Sequence, residues 1–186
     1  MSLELILGPM FAGKSSAILR IVNRYKSIKR SCCILSHCID NRYTSEQVIT
    51  NHDQLSLPCF RYNTLMTAKN DESNKEIIRS NVIIIDEAQF FPDIVEFVLW
   101  LVEDLQKDVI IVGLDGDANR KPFGRILELV PLADNITKLK SFCSQCLDGT
   151  EALFTYCKSE KNEQILVGGS ELYMPLCRKH YIELSK

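Results

Sequence analysis

Short unbroken apolar runs alternate along this chain with longer stretches in which apolar residues return every three or four positions. Residues 82–85 (VIII) and 109–112 (VIIV) are β-branched runs, as expected of parallel strands covered on both faces. Residues 3–7 (LELIL) and 32–36 (CCILS) read as shorter strands. Between the first two strands, Ile18, Ile21, Val22, Tyr25 and Ile28 fall on one face of a helix over 14–28. Ile94, Phe97, Val98, Leu101 and Leu105 do the same in a second helix, for which Asp93 is the expected cap. Strands alternating with helices predict an α/β fold built on a parallel sheet. Further short strands are expected near 47–50 and 57–61, and the polar stretch 69–75 (KNDESNK) reads as a solvated helix start or loop. From about Ser141 the helical rhythm fades and cysteines come in pairs, which divides the chain into domains 1–140 and 141–186.

The first strand runs into GPMFAGKS at residues 8–15, and a helix follows. This is the G-x-x-x-x-G-K-[ST] pattern in its proper strand–loop–helix setting, a strong signal for binding a nucleoside triphosphate. Gly8 and Gly13 let the backbone curl so that N–H groups point inward at phosphate oxygens, and the helix start adds partial positive charge. Lys14 supplies an ammonium for the β- and γ-phosphates, and the Ser15 hydroxyl supplies a magnesium ligand. The phosphate-binding stretch is therefore Gly8, Pro9, Met10, Phe11, Ala12, Gly13, Lys14, Ser15 and Ser16.

Such a loop needs a second carboxylate for magnesium at the end of a neighbouring strand, and Asp86 directly follows the VIII run. Glu87 comes next, placed to polarise water in a hydrolase or to take a proton from a substrate hydroxyl in a kinase. The pair alone does not separate the two. Beyond it lie an amide and two aromatics, Gln89, Phe90 and Phe91, and ring faces beside a phosphate site suit a flat base. A second loop, 114–124 (LDGDANRKPFG), leaves the strand at 109–112 and carries Arg120 and Lys121, which can meet charge on a transferring phosphate or remain solvated.

Composition narrows the classes. The chain has 186 residues, 46% of them hydrophobic, and a net charge of −2 without a basic stripe, which argues against a nucleic-acid partner. No apolar run approaches the roughly 18 residues that span a bilayer, so no membrane partner and a cytoplasmic location are expected. Eight cysteines are many for that compartment, where a disulfide framework is not expected, so their spacing matters instead. Cys143-x2-Cys146 and Cys177-x2-His180 supply four tetrahedral ligands with no open position, the pattern of a structural zinc site.

In order along the chain, GPMFAGKS, DNRY at 40–43, His52-Asp53, IDEAQFF, LDGDANRKPFG, the first ligand pair, GGSELY and the second ligand pair resemble the cellular-type (type II) thymidine kinases. The resemblance covers nearly the whole chain. It implies a RecA-like P-loop NTPase sheet with a small zinc-anchored lasso domain, and transfer of the γ-phosphate of ATP, with Mg2+, to the 5′-hydroxyl of thymidine or deoxyuridine. By position it makes Glu87 the general base, Ser15 and Asp86 the magnesium group, and Asp40 and Arg42 their aids. It puts Met10, Phe90, Leu114, Phe123, Thr155 and Tyr173 around the nucleoside, with the base read by lasso backbone at Leu166, Val167, Gly168 and Gly169. It also implies a homotetramer inhibited by thymidine triphosphate (dTTP). The family usually has an aromatic where this chain has Ala118, and a small neutral residue where it has Asp117. The rival readings are a kinase of broader deoxynucleoside choice and a RecA-like nucleic-acid-dependent ATPase.

Overall fold

The computed structural model describes residues 1–39, 48–50, 55–71, 73–159 and 168–186. Strand β1 (Ser2–Leu7) leads into helix α1 (Lys14–Ser27), then β2 (Cys32–His37), β3 (Val48–Thr50), β4 (Ser56–Pro58) and β5 (Phe60–Tyr62). A 3-10 helix (Leu65–Asn70) and α2 (Ser73–Arg79) precede β6 (Val82–Ile85). Helix α3 (Ile94–Leu99) runs on as a π-helical turn (Trp100–Asp104) towards β7 (Asp108–Gly113). A second long 3-10 segment (Ile126–Leu132) leads to β8 (Asn135–Lys138). The chain ends with β9 (Ser141–Phe142), β10 (Glu151–Ala152), β11 (Phe154–Cys157), β12 (Tyr173–Leu176) and α4 (Arg178–Leu184).

Six strands form one sheet in the order β5-β2-β6-β7-β1-β8. Every neighbouring pair in it is parallel, as the apolar runs predict. Alternation then sends successive residues of β6 to opposite faces, and both faces are covered. Ile84 shares a cluster with Ile18, Ile21 and Val22 of α1, while Ile83 and Ile85 join Phe97 and Val98 of α3 and Leu101 of the π-helical turn. All four residues of β6 are fully buried, which is why the run has no polar member.

The structure corrects several expectations. The predicted helix over 14–28 stops at Ser27, and Ile28 stands 63% exposed beyond it rather than on the apolar face. The run near 57–61 is two strands: β4 pairs antiparallel with β3, while β5 joins the main sheet beside β2. Asp93 makes no side-chain cap to α3. Its two carboxylate oxygens instead accept the N–H groups of Leu65 (3.1 Å) and Met66 (2.8 Å), capping the 3-10 helix across the fold. Removing a cap of this kind costs about 1 kcal/mol. Asp93→Ala is thus expected to lower the urea midpoint with an unchanged slope, and a midpoint equal to the parent's would count against the assignment.

A third apolar cluster lies apart in sequence from the two that cover the sheet. Cys143, Ala152, Leu176, Cys177 and Tyr181 are its buried members, with Phe154, Tyr156 and Met174 packed against them. No helix among the described residues is long and apolar enough to cross a membrane.

Candidate functional site

In a sheet whose strands all run one way, the carboxyl ends share one edge, and loops leaving that edge converge. The ends of β1, β2, β6 and β7 therefore bring together residues 8–13, His37, Asp86–Glu87 and the loop at 114–124.

The loop after β1 is curled by its backbone. Gly13 holds a left-handed conformation (φ 79°) at the N-cap of α1, and Phe11 is also left-handed (φ 64°). Gly8 passes so close to the backbone just after β8 that a Cβ would sit 2.6 Å from the Leu139 carbonyl oxygen. The Lys14 ammonium lies across the loop, donating to the carbonyls of Gly8 (3.2 Å) and Pro9 (2.7 Å). Met10 N–H donates to the buried Thr155 hydroxyl (3.0 Å), which fastens the loop to β11.

Asp86 is buried at the end of β6, and its carboxylate accepts the Glu87 N–H (2.9 Å). Glu87 is left-handed (φ 52°, ψ 38°), a conformation costing a residue with a Cβ roughly 1–2 kcal/mol. The sharp turn ends the strand and puts the half-buried Glu87 side chain at the site's edge. Gln89 donates to Glu87 Oε2 (2.6 Å) and accepts Leu114 N–H (2.9 Å).

Aromatic rings gather beside this turn. Phe90 meets Phe123 edge-on, with ring centroids 5.2 Å apart, and His37 lies 5.5 Å from Phe90 and 4.9 Å from Phe91. Phe91 is fully buried in the core below, which leaves Phe90 as the half-buried ring of the pair. His37 was not anticipated from the sequence; the only signal was its place at the end of a strand leading to the same edge. Burial holds its imidazole below the ordinary value, against the opposing pull of the Asn63 backbone and the Glu87 charge. Leu114, Thr155 and Tyr173 are also buried, and Tyr173 pairs with Cys157 across β11 and β12. Gly168 and Gly169 are half-buried, and the Gly169 carbonyl accepts the N–H groups of Leu172 (3.1 Å) and Tyr173 (2.9 Å). Asp40, Arg42, Leu166 and Val167 lie outside the described residues.

The two cysteine-rich pairs meet. The ligand atoms of Cys143, Cys146, Cys177 and His180 all lie within 4.8 Å of one another. His180 Nδ1 is 3.5 Å from Cys143 Sγ, 3.3 Å from Cys146 Sγ and 3.5 Å from Cys177 Sγ, and the sulfurs of Cys146 and Cys177 are 3.8 Å apart. A tetrahedron with zinc–sulfur and zinc–nitrogen bonds of about 2.3 and 2.0 Å has edges of roughly 3.8 and 3.5 Å, so the donor set fits that ion. Burial raises the Cys143 thiol, but N–H groups of Cys177, Gln145 and Cys146 and the His180 ring outweigh it, bringing it down to about 6. Burial and the neighbouring Cys143 and Cys177 push Cys146 up to about 11. Crowding disfavours a second thiolate until a cation neutralises the cluster.

A family model for thymidine kinase matches residues 1–181. The chain belongs to the thymidine kinase family. It is 41% identical to thymidine kinase a of Arabidopsis thaliana, over 97% of this chain and 75% of the relative. Identity is 38% to the thymidine kinase of vaccinia virus (strain Western Reserve), over 97% of each chain. The thymidine kinase of Choristoneura fumiferana entomopoxvirus is 36% identical, over 98% of this chain and 97% of the relative.

The loop at 114–124 shows what this family member does with its two departures. Asp117 is buried, and its carboxylate accepts the N–H groups of Asn119 and Lys121, both at 2.9 Å, so the acid sets the turn from within. The Ala118 carbonyl accepts the Tyr181 hydroxyl (2.6 Å). Arg120, for which the sequence left phosphate and solvent both open, rests its guanidinium on the Tyr181 ring, 4.4 Å from the centroid. The loop is thereby clasped to α4, next to the Cys/His cluster. Lys121 remains exposed.

Proposed function

We propose that this chain transfers the γ-phosphate of ATP to the 5′-hydroxyl of thymidine, and of deoxyuridine, in the cytoplasm. Family membership supports the reaction, and one structural observation supports the placement of its parts. The phosphate loop leaves β1 and the acidic pair leaves β6 at the same sheet edge, with only β7 between them. Two strand spacings set these groups roughly 10 Å apart, room for a γ-phosphate and an acceptor alcohol in line.

In this reading the backbone of residues 8–13, Lys14 and the first turn of α1 grip the triphosphate. Ser15 and Asp86 would hold Mg2+, which supplies charge neutralisation on the phosphates when bound. Asp40 and Arg42 assist. Glu87 takes the proton of the sugar hydroxyl as the oxygen attacks phosphorus. Met10, Phe90, Leu114, Phe123, Thr155 and Tyr173 enclose the nucleoside, and backbone from Leu166, Val167, Gly168 and Gly169 reads its base. Residues 141–186 act as a separate module, held by zinc on Cys143, Cys146, Cys177 and His180, that closes over the nucleoside. The same pocket admits dTTP as feedback inhibitor, and the working form is a homotetramer.

A transfer assay with γ-labelled ATP against thymidine, deoxyuridine, deoxycytidine and the purine deoxynucleosides tests this. Label is expected in the monophosphates of thymidine and deoxyuridine. Label on every nucleoside alike, or ATP hydrolysis raised by DNA with no labelled nucleotide, would overturn it.

A further inference from the structure

Gln89 is 3% exposed, yet it sits beside a half-buried acid at the edge of the site. Both ends of its amide are engaged. The NH2 donates to Glu87 Oε2 at 2.6 Å, and the carbonyl accepts Leu114 N–H at 2.9 Å. The space it fills is kept open from a separate strand. A Cβ on Gly113 would fall 2.5 Å from Gln89 Oε1, and one on Gly124 would overlap the Gln89 main-chain oxygen. The side chain is thus a strut from the end of β7 to the carboxylate after β6, and the nearby ring of Phe90 follows it directly in the chain.

An acid in a left-handed turn, with several rotatable bonds, needs such a strut. A carboxylate that takes a proton in the transition state must be held in place beforehand, because misplacement by about 1 Å can cost 10²-fold. An amide NH2 suits this role because it donates to the carboxylate while remaining neutral itself. A buried amide also resists substitution by a group lacking either function, since the Leu114 N–H would then be left unpaired.

We infer that Gln89 is a positioning residue for phosphoryl transfer, fixing the Glu87 carboxylate relative to the end of β7 and the loop at 114–124. The inference rests on Glu87 acting as the base. Gln89→Met, of similar volume and with neither polar contact, is expected to lower kcat for thymidine at least 10-fold. The KM values for ATP and thymidine should stay within about twofold, because no ligand contact is removed. In a Glu87→Gln background the same change should cost less than about twofold, since there is no longer a base to place.

Gln89→Glu keeps an acceptor for Leu114 N–H but sets a second carboxylate against Glu87. Two acids that close repel or share a proton, so kcat should fall at least 10-fold with the KM values within about twofold, and the buried second acid should lower the melting temperature at neutral pH. A purely structural glutamine would leave kcat near the parent's in the protein that folds. If Glu87→Gln retains near-parental kcat, the assignment of the base fails. If Glu87→Gln loses activity while Gln89→Met keeps it, only the strut fails. Should Gln89→Met not fold, Gln89→Glu decides: a folded variant with near-parental kcat overturns the inference.

Discussion

Glu87→Gln is expected to lower kcat by 10²-fold or more while leaving ATP binding intact, since general base catalysis contributes about 10²–10⁴-fold. The two side chains have the same shape. The amide oxygen of the variant can still accept the Gln89 NH2, so position is kept and basicity alone is lost. The fold should be unaffected, with a melting temperature within about a degree or two of the parent's for a change of a few tenths of a kcal/mol. Equilibrium titration with a nucleotide analogue, beside steady-state kinetics, separates the steps. Near-parental turnover would remove Glu87 from the chemistry, and lost nucleotide affinity would mean that it serves the phosphate site instead.

Glu87→Gly adds a second reading of the same residue. Glycine enters φ 52°, ψ 38° without the clash that a Cβ causes, relieving roughly 1 kcal/mol of strain. The variant loses the Gln89 contact as well, so its thermal midpoint should hold level or rise even though turnover is lost. Strain retained at a residue that the fold would exchange without penalty is the mark of a position kept for function.

The second large effect concerns the Cys/His cluster. Chelation, or Cys146→Ala, is expected to unfold the segment that carries the third apolar cluster. Among the described residues that cluster has five buried members, two of the proposed ligands among them. Structural zinc is worth an apparent 10–16 kcal/mol in zinc-finger peptides, comparable with the roughly 5–15 kcal/mol that stabilises a whole domain. The loss should spread to the phosphate loop, because Met10 N–H is held by Thr155 and the loop at 114–124 is held by Tyr181. Metal analysis of the purified protein should find about one zinc per chain, as a closed four-ligand site holds one ion. Less than half an equivalent, or a melting curve indifferent to chelation, would exclude a structural ion there.

Much of the sheet was legible because its signals are local. The VIII run of β6 needs only its own four residues to announce a strand covered on both faces, and the curl of GPMFAGKS is set by glycines within it. The spacing of Cys143 with Cys146, and of Cys177 with His180, is likewise a short-range pattern. The strands of the last third were missed because β9 to β12 are two to four residues long and take their stability from the cluster they surround, not from their own periodicity. Asp93 misled for a related reason. An acid before a helix is a good local cap, but here two N–H groups brought from residues 65 and 66 compete for it more successfully.

Residue type and spacing over a few positions were enough to specify the parallel sheet, the curled loop after β1, the acidic pair that ends β6 and the four clustered Cys/His side chains. Which groups hold one another emerged with the packed fold alone. Packing put Gln89 between Glu87 and Leu114, brought His37 against Phe90, and laid Arg120 on the ring of Tyr181. Those contacts join residues distant along the chain, and their geometry is fixed by strand order and packing, which no local pattern encodes.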